Sequence, residues 1–536
     1  MSKKILIIGG GINGAGMARD ATMRGFDVTL FDKGDFCSGT SWTSSKLIHG
    51  GLRYLEHFEF GLVRESLRER EILLRISPHN VHSLDLTIPV YKHSPHALMT
   101  LRAGLTAYDV LSYDKSLPNH VVLNVNDIAQ KFPAMNRENL LGGLSYSDCQ
   151  CPFPERLVLN NLQSAVRHGA KIFNYHRVTE ICKEHDRVTG LHVKNLLTNE
   201  EFIFNADMVI NAAGPWVDEV LQLKSPDERL IGGTKGSHIV VKKFDSSMSS
   251  AIYVNAKSDG RPFFILPWQD EYLLIGTTDI RFEGDLETLR PDVKEIDYLL
   301  AEFNELFPSV KLNRSSILFS FSGVRPLPYT REDAPSAITR KHFIIDHAER
   351  DDLRGLVSLV GGKLTTYRQA SEEMIDFVAE RLGKSSPCRT TEEPLPGGDL
   401  EDIESYRRAE FIRIPAQLKI SERSFFHLIN LYGSEYQKII ELCMATPELC
   451  DTVCPHVPDI KAQLVYAAQN EWAVTLNDIM FRRTSAGLGE CVGLCNLDAT
   501  AELIGRILKW NDSKLTNEKN VYRNYVEKNL ANHRHV

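Results

Sequence analysis

Residues 43–56, Thr-Ser-Ser-Lys-Leu-Ile-His-Gly-Gly-Leu-Arg-Tyr-Leu-Glu, concentrate hydroxyls, a lysine, a histidine, paired glycines and an arginine in one short span. Hydroxyls and cations can hold phosphate oxygens, an imidazole can move a proton near neutral pH, and glycines let backbone approach a ligand. Such a span needs a scaffold that brings a ligand against it.

That scaffold is legible immediately upstream. Lys4-Ile-Leu-Ile-Ile8 is an apolar, β-branched run suited to a buried parallel strand, and it feeds into Gly9-Gly-Gly-Ile-Asn-Gly14, a G-x-G-x-x-G turn with Gly16 as a further small residue. Residues 15–24 read as the following helix, 27–31 as a second strand, and Asp32 closes that strand where a carboxylate can accept from ribose hydroxyls. Strand, glycines, helix, strand and acid in this order predict a dinucleotide site, for FAD or NAD, with pyrophosphate on the helix N-terminus.

The rest of the chain supplies separated pieces of the same unit. Residues 207–216 read as a buried strand ending in Ala213-Gly214-Pro215, and residues 356–366 as a strand that breaks at Gly361-Gly362 before a helix at 365–382. Between them, residues 236–241, 263–267, 272–276 and 317–321 have the pattern of short antiparallel strands covering a substrate. Beyond a Leu-Pro-Gly-Gly linker at 395–398, residues 422–431, 434–445, 460–472 and 499–510 carry helical spacing.

At 536 residues with 43% hydrophobic and 25% charged residues and a net charge of -8, the chain suits several domains and argues against general nucleic-acid binding. No leader peptide and no run long enough to span a membrane are read, and ten scattered cysteines fit free thiols in a reducing cytoplasm. Residues 97–111 form an apolar stretch preceded by Lys92, His93 and His96, readable either as a helix lying in a membrane interface or as a buried one. Cys450, Cys454, Cys491 and Cys495, with Cys443 nearby, have i, i+4 spacing rather than the C-x-x-C of common zinc sites, so no metal is assigned.

The motifs GGGINGAG from Gly9, SSKLIHGGLRYLE from Ser44, NAAGPWV from Asn211, KGSHIVV from Lys235, IGTTD from Ile275, SGVRPL from Ser322, GGKLTTYR from Gly361 and Arg482-Arg483-Thr484 resemble the FAD-dependent, respiratory glycerol-3-phosphate dehydrogenases across nearly the whole chain. The resemblance implies a Rossmann-type FAD-binding domain (1–90, 150–235 and 330–390), an antiparallel-sheet substrate or cap domain (91–149 and 236–329) and an all-helical C-terminal domain (395–536). It implies noncovalent FAD held by Gly9, Gly11, Asn13, Gly14, Asp32, Ser44, Ser45, Lys46, His49, Gly50, Ala213, Gly214, Gly362, Leu364 and Thr365. Glycerol 3-phosphate would meet Arg53, Tyr54, Arg340 and Lys363, with Arg325 stabilising the developing alkoxide and His238 as base. Electrons would pass to a membrane quinone from an enzyme bound peripherally to the cytoplasmic face, with a homodimer left open. The competing readings are an oxidase that makes peroxide and a flavin-binding scaffold without chemistry.

Overall fold

The computed structural model describes residues 2–223, 225–331 and 338–530. Its first sheet has six strands in the order Phe343–Asp346, Leu356–Val360, Met208–Asn211, Lys4–Ile8, Asp27–Phe31 and Lys171–Phe173, parallel except for the first pair. The near-continuous burial of Lys4–Ile8 and its neighbours is what a sheet covered on both faces demands. One face takes helices Ile12–Met23, Pro154–Arg167 and Tyr367–Arg381, where Gly16 lets the first and third close up: a Cβ there would sit 2.5 Å from Ser371 Oγ. A small antiparallel sheet, His176–Glu184, Arg187–Asn195 and Glu201–Asn205, covers the other face.

The second sheet has ten strands, built on Thr234–Lys242, which pairs with both Tyr272–Gly276 and Ile317–Arg325. Its pairings are antiparallel except for that between Ala251–Asn255 and His82–Tyr91. His82–Tyr91 hydrogen-bonds along Leu140–Gln150, so residues 82–90 go with this sheet and not with the FAD-binding unit to which the sequence assigned them. Leu47–Ile48 joins the same sheet's edge, so the polar span following the nucleotide motif is physically shared by both sheets.

From Ile403 onward the chain is helical apart from turns, through Asp512–Tyr525; the sequence's 531–536 lie outside the described residues. This region is bolted to the first sheet by buried charge. Arg482 Nε donates to Asp35 Oδ2 at 2.6 Å, Arg483 closes on both Asp35 oxygens at 2.7 and 2.8 Å, and Arg482 also reaches Asp478 Oδ1 at 2.7 Å. Two arginines therefore meet two aspartates, a balanced set that can tolerate burial.

Candidate functional site

The nucleotide turn is shaped by close approach. Gly9 has φ +107°, and a Cβ on Gly14 would lie 1.9 Å from Gly9 O, so the helix can start this near the strand only without a side chain. The Ile12–Met23 helix has no side-chain N-cap, leaving its first N–H groups directed at whatever fills the cavity, apart from Ile12 N–H, which Ser41 Oγ accepts at 3.0 Å. Asp32 accepts from Gly10 N–H at 2.7 Å and Gly34 N–H at 2.8 Å, and burial pushes its carboxyl up to about 6.

In front of this turn lies a cavity of about 500 Å³ whose wall includes Gly9, Gly11, Asn13, Asp32, Ser44, Ala213, Gly214, Gly362, Lys363 and Leu364. Asn13 Oδ1 is buried there without a hydrogen-bond partner, an acceptor awaiting a ligand donor. Size, phosphate-binding helix, ribose-reading acid and orphaned acceptor together fit a flavin dinucleotide.

Of the remaining residues expected to hold the cofactor, Ser45, Lys46, His49, Gly50 and Thr365 stand behind the wall. Lys46 is turned into the core, donating to Trp42 O at 3.2 Å, lying 4.0 Å from Glu155 Oε2 and facing the rings of Trp42, Trp268 and Phe321. Thr365 Oγ1 accepts from His49 N–H at 3.0 Å and donates to His49 C=O at 3.2 Å, so it latches the loop. Burial holds the His49 imidazole down to about 4. Gly50 packs on Tyr108, whose hydroxyl donates to Asp148 at 2.7 Å, and Arg70 pairs with the same carboxylate at 2.6 Å. Sequence reasoning missed Asp148, Arg70 and Tyr108, because nothing local marks them as supports for residues 49–51.

Lys363 leads from the cavity into a cluster of cations. Its Nζ lies 4.5 Å from the Tyr54 ring centroid and donates to Ser66 Oγ; burial lowers its pKa to about 7, with Glu65 and Glu59 pulling it back up. Arg325 donates to Asp279 Oδ1 at 3.0 Å and Thr277 Oγ1 at 3.1 Å, while Arg340 reaches Asp279 Oδ2 at 3.3 Å. Arg340, Arg325 and Arg53 all act on the Tyr54 phenol, pulling its pKa back down against the larger effect of burial, which raises it. The structure thus gathers Arg53, Tyr54, Arg325, Arg340 and Lys363, and adds Asp279, which lies in the IGTTD motif but was not singled out. His238 sits behind this cluster, 2.9 Å from Ser45 Oγ through Nε2 and stacked on Phe321, with Nδ1 buried and unpartnered. Burial, then Arg325 and Lys46, hold it neutral down to about 3.

Comparison with known proteins agrees with this geometry. Residues 4–368 match the model of FAD dependent oxidoreductases and residues 388–515 that of the C-terminal domain of alpha-glycerophosphate oxidase. A glycerol-3-phosphate dehydrogenase from Synechocystis is 44% identical over 98% of this chain and 96% of its own. The chain belongs to the FAD-dependent glycerol-3-phosphate dehydrogenase family. A solved member from Bacillus halodurans, complexed with FAD, superposes with a TM-score of 0.80 at 29% identity, covering 99% of this chain and 95% of that one. Family membership leaves room in the substrate: a D-erythritol 1-phosphate dehydrogenase from Brucella abortus is 36% identical over 90% of this chain and 93% of its own. The cavity in front of the nucleotide turn has the size and lining for the FAD that this family carries.

Proposed function

We propose that the enzyme oxidises sn-glycerol 3-phosphate to dihydroxyacetone phosphate and passes the electrons to a membrane quinone. The observation that carries the reading is the gathering of four cationic side chains beside the flavin cavity. Arg325 and Arg340 both reach Asp279 while Arg53 and Lys363 stand near the same phenol, a set of donors suited to a phosphate dianion.

Bound FAD supplies the hydride acceptor. Arg325 steadies negative charge developing on the substrate oxygen, and Tyr54 hydrogen-bonds the substrate. His238 takes the hydroxyl proton. Its neutral form is the one competent to do so, and an arriving dianion offsets Arg325 and raises its basicity. Anaerobic addition of glycerol 3-phosphate should bleach the flavin absorbance; erythritol 1-phosphate, added in parallel, should bleach it more slowly. No bleaching by either would overturn the reading.

The acceptor proposal is supported by an exposed apolar face. Helix Leu98–Leu111 buries Leu105 and Tyr108 but leaves Met99 70% exposed, and Phe58 and Tyr113 nearby are each 79% exposed. Aromatic and aliphatic groups so placed, with Arg64 beneath the Tyr113 ring at 4.7 Å, suit a helix lying in a lipid interface. Among the described residues no helix is long and apolar enough to cross a membrane. Wild-type enzyme should float with anionic liposomes and reduce a quinone analogue, whereas Met99→Glu combined with Phe58→Glu should stay in the soluble fraction. Equal behaviour of the two, or peroxide as the main reduced product, would count against this part.

A further inference from the structure

The flavin chemistry leaves a group of thiols in the helical region without a task. Cys454 lies in the turn that follows Pro447–Cys450, and Cys491 and Cys495 lie on the loop that leads into helix Leu497–Ile507. Across the 37 residues separating Cys454 from Cys491, the two sulfurs come to 3.7 Å, and Cys495 Sγ lies 3.2 Å from Cys491 Sγ. All three sulfurs fall within 4.8 Å of one another. In a tetrahedral site with zinc–sulfur bonds of about 2.3 Å, neighbouring sulfurs are about 3.8 Å apart. Buried Cys454 and half-buried Cys491 already have that spacing, and exposed Cys495 needs to withdraw by about half an ångström to match it.

Backbone amides face two of these sulfurs. His456 N–H donates to Cys454 Sγ, and the N–H groups of Gly493 and Cys495 donate to Cys491 Sγ. Hydrogen bonds to a thiolate strengthen as its charge develops, which is what a metal ligand requires. The turn that aims those amides is closed to other residues: Gly493 has φ +72°, and a Cβ would lie 2.3 Å from the Tyr522 hydroxyl. Cys450, grouped with these cysteines in the sequence, is not brought to them; its thiol hydrogen-bonds Cys443 instead.

We propose that Cys454, Cys491 and Cys495 form a three-thiolate site for zinc or a similar soft divalent cation, with its fourth position open to solvent beside Cys495. Loading exchanges the thiol protons for the cation and releases them to solvent, with no change of oxidation state. The site staples the turn at 454 to the loop at 491–495. That loop in turn holds the last long helix: Tyr522 donates to Val492 C=O at 2.8 Å and stacks on Phe481 at 5.3 Å. Phe481 C=O accepts from Trp42 Nε1–H at 3.3 Å, and both Trp42 and Tyr525 line the flavin cavity. A metal here therefore braces the cavity wall from behind.

The test uses the holoenzyme, reduced with a phosphine, stripped with a chelator and freed of both reagents. Titration with zinc against a chromophoric chelator should show one equivalent per chain, cobalt should give thiolate-to-metal absorbance in the near ultraviolet, and zinc should raise the melting temperature. Cys495→Ser, at an exposed position that leaves the core undisturbed, should weaken uptake at least about 100-fold, and Cys443→Ser should leave it unchanged. No stoichiometric uptake by wild type, equal uptake by Cys495→Ser, or loss of uptake in Cys443→Ser would overturn the proposal. So would a Cys454–Cys491 disulfide that survives the reductant.

Discussion

Arg482 and Arg483 close on Asp35 in the interior, and Arg325 and Arg340 close on Asp279 beside the flavin cavity; the clusters share their chemistry and differ in their exposure. At Asp35 a second acid, Asp478, brings charges level, and the Asp35 side chain is 1% exposed. At Asp279 both arginines reach one carboxylate, and the Arg325 side chain keeps 26% of its surface open. A neutral set can be sealed and used as a rivet. One that stays reachable beside the cavity is placed to meet a charged substrate, as the proposed function requires.

The sharpest way to break this contrast is Asp35→Ala. It leaves two buried guanidiniums sharing Asp478, at a cost of about 3–5 kcal/mol, and should lower the melting temperature and release flavin on gel filtration. An unchanged melting curve would erase the distinction. Arg325→Ala should do the reverse, lowering kcat/KM by about 10²–10³-fold while melting temperature and flavin absorbance per chain hold. Loss of flavin there would make Asp279 a second rivet.

A smaller effect comes from pH. Lys363, lowered by burial to about 7, is an ammonium below that pH and a neutral amine above it, so cationic help for the phosphate is present on the acid side and lost as pH rises. The kcat/KM profile should fall above about pH 7, by up to tenfold per unit, and Lys363→Arg should remove that limb. Smallest of all, Tyr54→Phe removes one neutral hydrogen bond and should cost about two- to tenfold in kcat/KM, with flavin content intact.

The nucleotide turn was legible because its logic is local: strand, glycines, helix and Asp32 lie within one stretch and each is chosen for its own backbone geometry. The cations were legible as members of motifs. Their counterparts were not. Asp35, Asp148 and Asp279 acquire meaning only from arginines or a tyrosine on distant segments, and an isolated acid in a sequence looks like any solvated one. Lys46 misled for the converse reason: a lysine amid phosphate-binding residues reads as a ligand, yet its chain runs into an aromatic box above Glu155. The helix at 98–111 was ambiguous because apolar composition alone cannot say which side is covered; Leu105 inward and Met99 outward settle its facing.

The first strand, Lys4–Ile8, lies between partners that emerge far apart in time: Asp27–Phe31 follows at once, but Met208–Asn211 and then Leu356–Val360 come much later. At about 5–20 residues per second, the ribosome needs on the order of 20–70 s to deliver residue 360. Until then one edge of the nascent sheet is bare, and the wall formed by Gly361 to Leu364 does not exist. The rivet at Asp35 waits longer still, for Arg482 and Arg483. Cofactor capture is therefore a late event in this polypeptide's birth, and the half-made N-terminal unit is the stage at which a cell has most reason to shield it.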